Sequence, residues 1–230
     1  MKPSIFRAKS QYLIPQGKSL VLWLDAANPL NNNTQYSDES AMSTWRDRSS
    51  YGNNVNQSTP ADQPIFNTNV LNKLPGVRFD GNQYFVSSAS PPWINSEVTL
   101  FLVAFALDPA VFVLTGNDNF EIDTQSEQFQ LQTSNVVVGS YEISSAFKIL
   151  TLGRQTGNSK AYENGVQSGS TVTTSLSTPS GSSFYVGTRA DLAVPFDGYI
   201  SELIMYNRLL SNNERSVVEN YLSKKWGVAI

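Results

Sequence analysis

Residues 196–227 read FDGYISELIMYNRLLSNNERSVVENYLSKKWG. From Tyr199 to Tyr206 the stretch alternates or runs apolar through Ile200, Leu203, Ile204 and Met205, which is the pattern of a buried strand. Asn207-Arg208-Leu209-Leu210 breaks that pattern. Ser211 then opens a helix with Glu214 three positions later, the spacing at which each side chain satisfies the other's free amide. Val217, Val218, Tyr221, Leu222 and Lys225 follow on one face at helical spacing. Lys224 and Lys225 fall in the last turn, where cations suit the helix dipole, and Gly227 supplies the stop.

Upstream, the chain is a succession of short strand signals. Residues 19–26 are nearly all apolar and read as a buried strand. Residues 70–79 extend to a turn at Asp80-Gly81-Asn82, with 84–87 as the return strand. Residues 97–107, the longest apolar run, are expected near the centre of a sheet. Strands over 111–114, 119–123, 128–132, 136–139 and 147–154 follow, separated by polar turns. Lys160 to Val166 is a hairpin turning at Asn164-Gly165, a pair that matches the twist of its flanking strands. Residues 168–183 read as an edge strand plus loop, 184–187 as a return to the core and 189–195 as a surface loop. The prediction is an all-β fold over residues 19–230: a jelly-roll-like sandwich of two antiparallel sheets with one C-terminal α-helix.

Composition excludes several chemistries. The 230 residues hold no cysteine and no histidine, so disulfides, thiolate or imidazole metal sites and histidine acid–base catalysis are ruled out. The net charge is −3, yet residues 1–18 carry Lys2, Arg7, Lys9 and Lys18 with no acid, leaving −7 on the remainder. A body of that charge is not expected to bind nucleic acid. No run reaches the ~18–20 apolar residues of a membrane span, and the N-terminus lacks the apolar core of a signal peptide. Synthesis in a cytoplasm without a signal peptide is the expectation. Residues 1–18 form an arm: either a terminus packed on the sandwich or a partner-docking segment. Its docking residues would be Ile5, Phe6, Arg7, Lys9 and Tyr12.

Three segments together carry a family resemblance. Gly198, Ile200, Glu202, Tyr206, Arg208, Leu210, Ser211, Glu214, Tyr221, Leu222 and Lys225 match a closing strand-and-helix motif. Trp45, Asp47 and Ser49 match a turn motif, and Pro75, Phe79, Asp80 and Gly81 a strand-end motif. The chain thereby resembles the laminin-G-like domains of the concanavalin A-like lectin/glucanase superfamily, over about residues 19 to 227. That resemblance implies the sandwich, and it leaves function open among lectins, adhesion modules, enzymes and structural parts. For Asp47, short polar side chains bonding the local turn backbone make structure the expected role.

The resemblance also implies candidate sites. Laminin-G-like domains often hold calcium at one rim, with loop donors here at Gly116, Asn117, Asp118 and Asn119 and at Arg189, Ala190 and Asp191. The composition of these loops is also that of solvated turns, and no cofactor is otherwise expected. Trp93, after Pro91-Pro92, reads either as a sugar-stacking ring or as a cover on the sandwich end. The ligand-binding candidates are therefore Trp93, Asn117, Asp118, Arg189 and Asp191.

Glu121-Ile122-Asp123-Thr124-Gln125 resembles the Glu-x-Asp-x-Glu catalytic strand of the β-glucanases of the same superfold. The third position is Gln125, which cannot serve as acid/base, and Glu127 lies about 6.5 Å further along. The expectation is a non-catalytic binding or assembly module, foremost a structural protein on the surface of a virus particle. Its partners would be other structural proteins of the assembly. The alternative is a stand-alone carbohydrate-binding lectin-like module, and a glycosidase comes third.

Overall fold

The computed structural model describes residues 14–87, 97–107, 112–117, 120–125, 128–133, 136–142, 146–175, 183–189 and 191–230. In chain order its strands are β1 (Leu20–Asp25), β2 (Ser40–Ala41), β3 (Thr44–Trp45), β4 (Val55–Asn56), β5 (Ile65–Leu71) and β6 (Leu74–Asp80). β7 (Phe85–Ser87), β8 (Val98–Ala106), β9 (Phe112–Asn117), β10 (Phe120–Gln125), β11 (Gln128–Thr133) and β12 (Val136–Glu142) follow. The rest are β13 (Lys148–Arg154), β14 (Ser159–Glu163), β15 (Val166–Val172), β16 (Tyr185–Val186) and β17 (Asp197–Tyr206), before helix α1 (Asn212–Trp226).

Among the described residues these strands make two antiparallel sheets. A nine-stranded sheet runs β15-β14-β13-β8-β17-β6-β5-β2 with β1 also on β17, and an eight-stranded sheet runs β12-β11-β10-β9-β16-β7-β4-β3. β17 is the hub because both its edges are occupied. β8 pairs along one edge from Gly198 to Tyr206. On the other, β6 takes residues 197–200 and β1 takes residues 202–206. From Ile200 onward β17 is paired on both edges and buried on both faces, so it has no use for polar alternation and reads as a largely apolar run.

The core lies between the sheets. Phe79 of β6 meets Phe85 of β7 edge-on at 6.2 Å between ring centroids, an aromatic contact that joins the two layers, and Trp45 of β3 stands 6.2 Å from Phe85 within its own sheet. The sandwich also closes along one side, where the Ser168 hydroxyl of β15 donates to the Ser140 carbonyl of β12 at 2.9 Å. Ile14 is buried in the core, and the Tyr206 hydroxyl donates to the Pro15 carbonyl at 3.0 Å. The C-terminal end of the expected arm is thus fixed to β17, while Ile5, Phe6, Arg7, Lys9 and Tyr12 lie outside the described residues.

The capping box at Ser211 and Glu214 is formed, and Gly227 closes the helix at φ 73°. The Asn164-Gly165 turn is present with both residues at positive φ. Three expectations need correction. Residues 70–79 are not one strand: Asn72 and Lys73, at φ 50° and 61°, turn β5 back into β6. Lysine carries no turn signal, so the hairpin is hidden in the sequence. β7 is not a return strand on β6; it pairs with β4 and β16, so the chain crosses between layers after Asp80. On α1, Val217 is exposed, and the buried stripe is Val218, Glu219, Leu222 and Trp226. Glu219 can be buried because Thr151 of β13 donates to it at 3.0 Å and Arg215 pairs with it.

Candidate functional site

The outer face of the nine-stranded sheet is divided in two. α1 covers one part, and the other carries an open cup of about 410 Å³. Register builds the floor of the cup. Tyr199 stands opposite Arg78 on β6 and opposite Phe105 on β8, so the three share a row and a face. Phe147, entering β13, completes it: its ring lies 5.5 Å from Phe105 and 6.4 Å from Tyr199. All three rings are half-buried. Gly198 lets β17 come this close to β8, since a Cβ there would lie 2.2 Å from the Phe105 carbonyl. The Arg78 guanidinium lies over the Tyr199 ring, 5.5 Å from its centroid, and 2.6 Å from the Asp197 carboxylate.

The rim is polar: Asp38, Asn67, Thr68 and Asn69 line it. The Thr68 amide donates to Asp38 Oδ1 at 2.7 Å. The backbone amide and side chain of Thr68, with help from Glu39 and Asn67, hold the Asp38 carboxyl below the usual carboxylate range, so it is ionised and exposed. Apolar rings below and amide, hydroxyl and carboxylate groups above can engage a molecule with one C–H face and many hydroxyls.

Beside the cup, under α1, lies a sealed polar cluster. Asp25 and Glu202 are directly opposed carboxylates on neighbouring strands, with side chains 2% and 0% exposed. Such a pair repels unless a cation lies between them. Lys225 supplies it, with Nζ 2.6 Å from Asp25 and 2.7 Å from Glu202. The indole N–H groups of Trp23 and Trp226 each donate to Glu202 at 2.6 Å, and the Tyr221 hydroxyl donates at 2.7 Å. Arg48 pairs with Asp25 while stacking 4.1 Å over Trp23. Burial pushes the Glu202 carboxyl up and Lys225 pulls it down, with the upward shift the larger; burial likewise raises the Tyr221 hydroxyl. With both oxygens of Glu202 engaged and its side chain 0% exposed, the cluster fastens the helix to the sheet. The Asp47 turn is similarly closed, its carboxylate accepting from the amides of Trp23, Ser49 and Asn53 at 2.8 Å each.

Residues 99–214 match a laminin-G family model described as the concanavalin A-like lectin/glucanases superfamily. The chain belongs to that superfamily. Comparison with curated proteins finds no match. Among solved structures, domain 4 of AbnA, a GH43 extracellular arabinanase from Geobacillus stearothermophilus in complex with arabinotriose, is similar at TM-score 0.56 and 15% identity. That match covers 85% of this chain and 96% of the domain. The binding domain of Paraclostridial Mosquitocidal Protein 1 matches at TM-score 0.62 and 12% identity, over 88% of this chain and 52% of that one. Trypanosoma rangeli sialidase in complex with the inhibitor DANA matches at 0.56 and 17%, over 92% of this chain but 34% of the sialidase. The chain spans about half and a third of the last two, and at these identities the likeness is one of fold.

The superfamily includes enzymes and non-catalytic binders, so the carboxylates on β10 bear on the distinction. Ile122 points into the core; Glu121 is half-buried, and Asp123 is only 4% exposed. Gln125 closes the same strand, and Glu127 lies outside the described residues. Among the rim candidates, Arg189 and Asp191 do meet. The guanidinium donates to both carboxylate oxygens at 2.7 and 3.2 Å, and the Ala193 amide donates to Oδ1 at 3.1 Å. A cation at Asp191 would compete with all three contacts. Asn117 ends β9, whereas Trp93 and Asp118 lie outside the described residues. Among the described residues no three acidic side chains gather as a metal site.

Phe105, Phe147, Tyr199 and Asp38 do not stand out in the sequence. Phe105 sits within a strand that is apolar at nearly every position, and only the pairing of β8 with β17 sets it beside Tyr199. The available signal was Tyr199 itself, an aromatic residue alternating with the buried Gly198 and Ile200.

Proposed function

We propose that the chain is a non-catalytic carbohydrate-binding module that seats a glycan on the aromatic cup of Phe105, Phe147 and Tyr199. The carrying observation is the cup itself: rings 5.5 and 6.4 Å apart under a rim of amide, hydroxyl and carboxylate groups, open to solvent on a rigid sheet. Sugar rings present C–H faces to aromatic planes and hydroxyls to such a rim, so both halves of the cup have a counterpart in one ligand. Superfamily membership and the likeness to a domain solved with arabinotriose support the same reading. The incomplete carboxylate set on β10 favours binding over hydrolysis.

On a virus particle, the role expected from sequence, the module would be tethered through residues 1–18. The contacts of Ile14 and Pro15 mark where such a tether would leave the sandwich.

The test is a glycan array followed by titration calorimetry on the full chain. Tyr199→Ala should weaken the selected glycan about tenfold, the upper end of a single aromatic contact's worth, with an unfolding midpoint close to that of the parent. Binding that survives both Tyr199→Ala and Phe147→Ala unchanged, or release of a shorter sugar product, would overturn the proposal.

A further inference from the structure

We infer that the cup selects uncharged sugar units bearing a free pair of adjacent hydroxyls, with Asp38 as the residue that sets this specificity. The inference rests on the glycan-binding reading and adds the chemical class of the ligand. Among the described residues, Asp38 is the one charged side chain lining the cup; the others are Asn67, Thr68, Asn69, Val70 and the three rings. Arg78, which lies over Tyr199, is already paired: its guanidinium is 2.6 Å from Asp197 and donates to the Gly198 carbonyl at 3.4 Å. Glu39, the next residue after Asp38, does not line the cup but is exposed and adds a negative charge to the same loop.

An ionised carboxylate accepts hydrogen bonds and donates none, and its two oxygens suit two neighbouring hydroxyl donors on one ring. The Thr68 amide holds Oδ1 at 2.7 Å, and the Thr68 and Asn67 side chains and the Glu39 amide also act on the carboxylate. Asp38 is exposed and lines the cup, so a ligand seated there can reach it. A sugar acid placed over the same rings would bring its own carboxylate to a rim that, among the described residues, is lined by no cation. Asp38 is ionised through the neutral range, because its contacts stabilise the charged form, so the discrimination does not vanish near pH 7.

The full chain is titrated at low salt with arabinotriose and with glucose and galactose oligosaccharides, then with the matched uronic-acid forms. The neutral sugars should include a ligand whose uronic counterpart binds about fivefold more weakly, the repulsion of two unit charges about 4 Å apart in water. The gap should narrow as salt rises. Asp38→Asn should weaken the neutral ligand and close the gap, and Asp38→Lys should reverse the preference. Asp38 is exposed on a loop, so an unchanged unfolding midpoint is the check that both variants fold. Equal binding of neutral and acidic sugars by the parent overturns the inference, as does Asp38→Asn leaving both affinities unchanged. In either case a loss with Tyr199→Ala would keep the cup as the binding site. If no sugar of either class binds, or if binding ignores Tyr199→Ala, the functional proposal falls and the specificity falls with it.

Discussion

Lys225→Met is the most informative single change for the scaffold. Its Nζ stands between two carboxylates that face each other across β1 and β17, at 2.6 Å from Asp25 and 2.7 Å from Glu202. Methionine nearly preserves the volume and removes the charge. Arg48 still pairs with Asp25, and Glu202 keeps two indole donors and one hydroxyl. What is lost is the countercharge of a carboxylate with no solvent exposure. Removing one partner of a buried ion pair costs about 3–5 kcal/mol, a large part of the ~5–15 kcal/mol that holds a typical domain. For a chain of this length that lowers the melting temperature by about 6–20 °C.

The effect has a pH signature. Without the cation, the Glu202 carboxyl is pushed further above its unfolded value, so the folded variant binds a proton that the unfolded chain does not. The stability of the variant should therefore fall as pH rises through that elevated value, and the deficit should shrink on acidification. Urea unfolding at pH 7 and pH 5 measures both effects without adding salt. Lys224→Met is the control. If the helix dipole were the reason for both lysines, the two variants would lose equal, small amounts. A Lys225→Met deficit under about 1 kcal/mol at pH 7, or one that does not change with pH, would refute the bridging role.

Two further predictions concern the ends of the scaffold. Arg208, together with the Ser211 amide and hydroxyl, holds Glu214 down to about 2. Its contribution to stability should be complete above the ordinary glutamate value and lost as pH falls toward 2, since there the unfolded chain takes up the proton first. Glu214→Gln should flatten that part of an unfolding-versus-pH curve, and an unaltered acid slope would sink the assignment. At the N-terminus, deleting residues 2–13 should leave the unfolding midpoint near that of the full chain. Deleting 2–16 should cost about 2–3 kcal/mol, because Ile14 is 1% exposed and Tyr206 loses its acceptor at Pro15. Equal midpoints for the two deletions would show that Ile14 is not part of the core.

The sequence alone determined the elements that rest on local chemistry. Ser211 and Glu214 lie three residues apart, so their reciprocal cap depends on no other part of the chain. Asn164-Gly165 sets its own turn, and the apolar runs of β8 and β17 mark strands buried over most of their length whatever their neighbours. Those features, with the motif around Glu202, were enough for the sandwich and for the family. The tertiary structure decided what depends on pairing. Lys225 reads as a dipole cation until β1 and β17 place two carboxylates beneath it. Glu219 falls outside the helix face expected from the sequence and is buried against Thr151 of β13, and the Asn72-Lys73 turn is visible only in the backbone it bends. The cup is the extreme case. Tyr199, Phe105 and Phe147 come from three segments, and Asp38 from a fourth, so no sequence period links them. A hydrophobic pattern records that a side chain is covered or could be; which neighbour covers it is fixed only by strand register, where a shift of one residue turns each ring to the opposite face.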